Sequence, residues 1–230
     1  MKRIAVLVSG GGTNLQAIID AIQNGSITNG KIVKVIASKQ GIFALQRAKE
    51  NGIAAAVISR KQFDSVEAYD RAMVEELQKD RVDLIVLAGF LSILGEQVIR
   101  AFPNRIINIH PALIPSFCGP GFYGLHVHKA ALEKGVKITG ATVHFVNEIV
   151  DGGAIILQKA VEVQEGDTSE ILQKRVMEQA EWHILPQAID LFCNDRILIC
   201  LLYTSFSFYF IPKIQKFPSI SLFYFAQKKF

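Results

Sequence analysis

Ile4-Ala5-Val6-Leu7-Val8-Ser9-Gly10-Gly11-Gly12-Thr13-Asn14-Leu15-Gln16-Ala17-Ile18-Ile19 is an apolar run, a glycine-rich turn, and then apolar residues at helical spacing. A short apolar run bounded by glycine reads as a buried strand, and the change of period after it reads as a helix entered through a tight loop. Outward from this stretch, β-branched runs at 31–38, 54–59, 84–88 and 105–110 alternate with helix-period segments at 14–24, 43–51 and 65–79. Strand alternating with helix predicts an α/β fold: one doubly wound, mostly parallel, Rossmann-like sheet with helices on both faces. Asp64, with Glu67 three residues on, is the expected N-cap of the third helix. Beyond residue 136 the pattern changes to two longer strand-like stretches, 137–146 and 155–163, which suit a mixed sheet edge. A helix from about Thr168 to Cys193 follows.

The chain has 230 residues, half of them apolar, enough for one sizeable domain and not for two. Lys213, Lys216, Lys228 and Lys229 supply four of the 25 basic residues, and no acid follows Asp195, which leaves 21 basic against 21 acidic residues. The body is neutral, so the basic stripe that nucleic-acid binding needs is absent and an anionic ligand must be held locally. Cys118, Cys193 and Cys200 are too few and too far apart for a disulfide framework or a metal knuckle, which suits a reducing compartment. Met1 leads straight into a strand-like run, so no signal peptide is expected.

Residues 1–196 read as one domain, and 197–230 are different in kind. Ten of the 21 aromatic residues fall between Tyr203 and Phe230, with no acid and no glycine. Spurious or disordered sequence is expected there. A membrane anchor fits poorly, because Pro212 breaks an apolar run shorter than the roughly 20 residues a span requires.

Between strand and helix, the turn 9–14 offers free backbone N–H groups and the positive end of a helix, which favour a phosphate. Leu15 stands where a dinucleotide fingerprint has its third glycine, and no Gly-Lys-Ser/Thr is present, so neither a nicotinamide cofactor nor ATP is expected. A monophosphate at Gly11, Gly12, Thr13 and Asn14 is the sharper reading. A tight turn with Thr13 or Asn14 capping the helix is the plainer one.

Asn108 and His110, two apart on one strand, point to the same side, and Pro111 ends that strand. Open α/β sheets bind ligands at the carboxyl ends of their strands. A carboxamide and an imidazole there suit acyl transfer, the one steadying an oxyanion and the other adding charge or moving a proton. The alternative is that both only satisfy nearby backbone groups. Asp151, before Gly152-Gly153, could raise the imidazolium population and accept a proton, although Asp-Gly-Gly alone is a common turn.

In order along the chain, Ser9-Gly10-Gly11-Gly12-Thr13-Asn14-Leu15-Gln16-Ala17-Ile18, Leu87-Ala88-Gly89-Phe90-Leu91, Asn108-Ile109-His110-Pro111, Gly124-Leu125-His126-Val127-His128, Val143-His144-Phe145-Val146 and Asp151-Gly152-Gly153 resemble the phosphoribosylglycinamide formyltransferases. The match runs from Lys2 to about Arg196, and six ordered motifs are specific where each alone is weak. The resemblance implies a cytoplasmic enzyme that moves a formyl group from 10-formyltetrahydrofolate, its co-substrate, to the amine of glycinamide ribonucleotide in purine synthesis, without a metal. It implies that Asn108 and His110 hold the formyl oxygen while Asp151 pairs with His110 and assists proton transfer. Gly11, Gly12, Thr13 and Asn14 would receive the phosphate and Glu181 the ribose hydroxyls. Phe90, Leu91, Ser92, Ile93 and Leu94, with Val146, Asn147 and Asp151, would form the pterin slot. His126 is expected to buttress Asp151, and Thr142 to support the site from behind. Partners would be the two small molecules, with no nucleic acid and no membrane, in a monomer or weak homodimer.

Three departures accompany the resemblance. Phe117-Cys118-Gly119-Pro120-Gly121-Phe122 lengthens the loop beside the site, Trp182 follows Glu181 where relatives carry His, and Val66 replaces an Arg. His126 and His128 form an HxH pair, but at a helix start they diverge and no third ligand accompanies them. Formyltetrahydrofolate deformylase and methionyl-tRNA formyltransferase share the Asn-x-His plus Asp core, but both usually carry an extra domain for which this chain has no room. A nucleotide- or folate-binding module without turnover is the competing reading from another class.

Overall fold

The computed structural model describes residues 1–199. Seven strands form one sheet in the order β3-β2-β1-β4-β5-β6-β7: β1 (Lys2–Val8), β2 (Gly30–Ala37), β3 (Ala55–Val57), β4 (Leu84–Leu87), β5 (Ile106–His110), β6 (Ile138–Phe145) and β7 (Ile155–Glu162). The first five run parallel, and β6 and β7 form the antiparallel edge. This is the α/β, mostly parallel sheet expected, including its mixed edge.

The continuous apolar run of β1 follows from burial on both faces. Ile4, Val6 and Val8 pack with Leu15 and Ile18 of α1 (Thr13–Gln23), Ala44 and Ala48 of α2 (Phe43–Glu50), Leu172 of α6 (Ser169–Val176) and Leu185 of α7 (Trp182–Cys193). Ala5 and Leu7 face the other way, onto Tyr69, Met73 and Leu77 of α3 (Val66–Lys79) and Val98 of α4 (Glu96–Ala101). Alternation along a strand thus feeds two cores, and each large aliphatic side chain buried there stabilises by about 1.5–3 kcal/mol. α5 (Leu125–Lys134) ends on Gly135, whose left-handed φ of 72° lets its N–H reach back to the Ala131 and Leu132 carbonyls.

The chain winds outward from β1 in both directions, which opens a crevice where the loops after β1 and β4 part. Those loops are stitched together: Ser9 N–H donates to the Gly89 carbonyl at 3.2 Å, and Leu91 N–H to Ser9 Oγ at 2.9 Å.

Three local expectations change. Ser65, not Asp64, caps α3, its Oγ accepting from Ala68 N–H at 3.1 Å; an extended Ser65 puts its hydroxyl over the first turn. The helix expected from Thr168 to Cys193 is interrupted by a π turn, Met177–Glu181. Residues 96–101, not singled out in the sequence, form the short helix α4. At the carboxyl end, Ile197 and Ile199 pack partly buried against the core. The expectation for 197–230 otherwise falls on residues 200–230, outside those described.

Candidate active site

β5 carries Asn108 and His110 to the crevice, and its antiparallel neighbour sets Asn108 opposite His144 and His110 opposite Thr142. His144 Nδ1 lies 2.8 Å from the Phe145 carbonyl, which can only accept, so Nδ1 holds the proton and Nε2 accepts. Asn108 Nδ2 donates to that Nε2 at 3.1 Å, which fixes the amide with its other N–H and its oxygen uncommitted among the described residues. Thr142 Oγ1 donates to the Ala112 carbonyl and accepts from Ile114 N–H and Gln158 Nε2, so it anchors the chain just after His110.

Asp151 arrives from the β6–β7 connection. Its φ of 55° is left-handed, a conformation Asp tolerates better than most residues and one that tight loops at functional sites use. Gly153 makes the loop feasible: a Cβ there would sit 1.8 Å from the Phe145 carbonyl oxygen. Asn147 braces the same loop, its amide bonding to the Gly152 carbonyl and the Ile149 N–H. Asp151 Oδ2 lies 3.6 Å from His110 Nδ1, and Oδ1 lies 3.5 Å from His144 Nε2. The three residues expected to act together do converge.

Both nitrogens of His110 have neighbours. Nε2 is 2.8 Å from the Phe117 carbonyl and must donate to it, so Nδ1, facing Asp151, is where the ring gains or loses a proton. Burial pushes the His110 imidazole below its ordinary range, against the pull of Asp151 and the Phe117 carbonyl. Burial alone would raise Asp151, but the Gly119 N–H that donates to Oδ2, together with the attraction of the His144 and His110 imidazoles in their protonated forms, outweighs it and holds the carboxyl below the usual range. The resting couple is therefore a neutral imidazole beside a carboxylate, poised to accept one proton at Nδ1.

Across the crevice, α1 begins at Gly12, whose φ of 71° is left-handed and which offers no side-chain cap. A Cβ on Gly12 would meet Ala44 Cβ at 2.7 Å, so only glycine lets this turn pack on α2. The first N–H groups of α1 are left without a capping side chain, as an anion site requires. Arg47 braces the turn from α2, Nε on the Gly11 carbonyl and a guanidinium N–H on Gln16, with its guanidinium 4.8 Å from the centre of the Phe43 ring. The Asn14 side chain is turned inward: Nδ2 donates to Glu181 Oε2 at 2.7 Å, and buried Oδ1 has no partner. Glu181, carried in by the π turn, is buried and pushed up to about 7 by desolvation, with Asn14 opposing.

On the remaining wall, Leu91, Ile93, Ile149 and Val150 are exposed, Phe90 and Val146 are half-buried, and Leu94 turns into the core beside α3. A cleft of about 620 Å³ runs between α1 and α7, lined by Thr13, Gln16, Trp182, His183 and Pro186 among others; it meets the glycine turn only at Thr13 and none of the reacting trio lines it.

One expected residue is not where the sequence suggested. His126 is exposed and packs edge-on against Tyr123, with ring centres 5.0 Å apart, and it makes no polar contact with Asp151. The Gly119 N–H, which nothing in the sequence singles out, donates to Asp151 instead, and His144, which by its strand position reads as a satisfied core residue, is buried 3.5 Å from the carboxylate. His128 is the inward member of the HxH pair, buried, with both ring nitrogens unpartnered and its basicity pushed down to about 4 by burial and by His110. No group of three His, Cys, Asp or Glu side chains suited to a metal exists among the described residues.

A carboxamide, an imidazole and a carboxylate at the strand ends, facing an uncapped glycine turn, agree with the match of residues 2–189 to the formyl transferase family; the chain belongs to that family. Within it, the chain is 45% identical over 197 residues to the phosphoribosylglycinamide formyltransferase of Haemophilus influenzae, covering 86% of this chain and 90% of that protein. It is 45% identical over 199 residues to the trifunctional purine biosynthetic protein adenosine-3 of Drosophila melanogaster, of which it spans only 14%. The glycinamide ribonucleotide transformylase 1 structure from Symbiobacterium toebii superposes with a TM-score of 0.81 at 46% identity, over 86% of this chain and 91% of that one.

Proposed function

We propose that this chain transfers the formyl group of 10-formyltetrahydrofolate to the amine of glycinamide ribonucleotide, as a phosphoribosylglycinamide formyltransferase of purine synthesis. The observation that carries the reading is the convergence of Asn108, His110 and Asp151 beside a glycine turn with free N–H groups, in a chain so similar to named enzymes of that activity. The phosphate is received by the N–H groups of Gly11, Gly12, Thr13 and Asn14. Glu181 and the unpartnered Asn14 Oδ1 are acceptors awaiting donors, which suits the hydroxyls of a ribose. The exposed apolar side chains of Leu91, Ile93, Ile149 and Val150 suit a flat ring held through backbone groups of 90–94 and 146–151.

In the reaction the amine nitrogen attacks the formyl carbon, and the uncommitted Asn108 N–H steadies the oxygen as it takes up negative charge. The amine proton passes to His110 Nδ1, where Asp151 Oδ2 accepts a hydrogen bond from the imidazolium so formed. Collapse breaks the bond from the formyl carbon to the folate nitrogen, which takes the proton from the His110 imidazolium as it leaves and so restores the neutral ring. His144 and Thr142 position this machinery without touching the reacting atoms.

Residues 1–196 suffice for this activity in our reading, and the enzyme works in the cytoplasm as a monomer or weak homodimer. The free thiols of Cys118 and Cys193 fit a reducing compartment, and no helix among the described residues is long and apolar enough to cross a membrane. Tetrahydrofolate release, followed spectrophotometrically with and without glycinamide ribonucleotide on the full chain and on one ending at Arg196, tests the reading. Release that depends on the ribonucleotide, equal in both chains, is expected. Formate release to water at the same rate would identify a deformylase instead.

A further inference from the structure

The lengthened turn after cis Ile114-Pro115 reaches both members of the proton-accepting couple through its backbone. The Phe117 carbonyl accepts from His110 Nε2 at 2.8 Å, and two residues later Gly119 N–H donates to Asp151 Oδ2, also at 2.8 Å. Phe122 N–H closes the turn on the Gly119 carbonyl at 3.1 Å, and the Phe117 and Phe122 rings meet edge-on. One closed turn therefore spaces the imidazole from the carboxylate. Gly119 achieves this at φ +90°, a region that L side chains rarely adopt, and Gly121 shares that φ without a hydrogen bond to either catalytic side chain among the described residues. A Cβ at either glycine would meet nothing within 4 Å, so alanine at each introduces backbone strain without a clash.

We propose that Gly119 is a positioning residue: its N–H, aimed by the left-handed turn, orients Asp151 toward His110 and sets the proton affinity of the pair. The inference rests on the proposed function. As the amine N–H bond breaks and the Nδ1–H bond forms, Asp151 Oδ2 keeps its bond from Gly119 while it accepts the new one from Nδ1. Without that N–H the carboxylate is less stabilised and more basic, so the couple binds its proton more tightly, while its poorer aim slows the transfer.

The test compares kcat and kcat/KM against pH for the wild type, Gly119→Ala, and Gly121→Ala as a strain-matched control. A fourth protein carries glycolate at position 119, an ester that replaces the N–H by an oxygen and keeps the glycine's freedom of φ, and melting curves on all four confirm folding. Gly119→Ala and the ester should raise the acid limb by about one pH unit and lower kcat about tenfold, with the ribonucleotide KM unchanged. Gly121→Ala should keep the wild-type limb. Equal effects of the two alanines, or an ester with the wild-type profile, would overturn the proposal. A wild type that transfers no formyl group would instead refute the function on which it rests.

Discussion

Asn108 and His144 face each other across β5 and β6 with Nδ2 and Nε2 3.1 Å apart, and the Phe145 carbonyl holds the far side of the imidazole. The carboxamide expected to meet the formyl oxygen is thus aimed by a neighbouring strand. His144→Phe keeps the bulk and deletes the acceptor, leaving a half-buried amide N–H unpaired. A fall in kcat of about tenfold to a hundredfold is expected, with little change in ribonucleotide KM. Steady-state kinetics check it.

Asp151→Asn and His110→Ala should each cut kcat about a hundredfold or more while leaving ribonucleotide binding nearly intact, since neither touches the glycine turn. Calorimetric titration with the ribonucleotide checks the second half. A binding module without catalysis predicts no turnover in the wild type and tight binding in all three proteins.

The pH profile carries a sign. His110 must be neutral to take the amine proton, and burial holds its basicity below the ordinary imidazole range, with Asp151 pulling it up. Wild-type kcat, read at saturating ribonucleotide so that binding through Glu181 does not enter, should therefore stay level as pH falls through 6.5, the ordinary imidazole value, before it drops. In the residual activity of Asp151→Asn the acid limb should move lower still, because the group that raised His110 is gone.

Glu181 links stability to pH. Its carboxyl titrates near 7 in the folded chain against an ordinary value of 4.5, so the folded state holds the proton more tightly. The contribution is fully present below 4.5 and is lost as pH rises through about 7. The gap corresponds to about 3 kcal/mol. Glu181→Gln should remove this dependence, melting higher than wild type at pH 8 while binding the ribonucleotide more weakly. Melting curves at pH 5 and 8 without ligand, with KM alongside, decide it.

Gly153→Ala tests the loop that delivers Asp151. The Cβ would displace the Phe145 carbonyl and loosen the bond from Phe145 N–H to the Ala154 carbonyl, now 2.8 Å. Destabilisation of about 1–3 kcal/mol is expected, together with loss of turnover out of proportion to the fraction unfolded.

Local signals carried much of this in advance. The run through β1, the glycine turn and α1 declares itself by a change of period, and Asn108-x-His110 by strand alternation before Pro111. Asp151 carried no such signal, because its place depends on how the β6–β7 connection folds back, and only the family resemblance named it. His144 reads from the sequence as a core strand residue, but its contact with Asn108 stayed hidden because their register depends on the path between β5 and β6. Of the HxH pair, the sequence could say that the two side chains diverge but not that His128 turns inward. The π turn that delivers Glu181 interrupts an otherwise regular helical period, so no local pattern announced it.

The most direct measurement of the central claim is tetrahydrofolate release by wild type and Asp151→Asn, each with and without glycinamide ribonucleotide. Release should depend on the ribonucleotide, with formylated ribonucleotide formed in equal amount, and should be slower by about a hundredfold or more in Asp151→Asn. Release from the wild type at the same rate without the ribonucleotide, or undiminished release from Asp151→Asn, would contradict it.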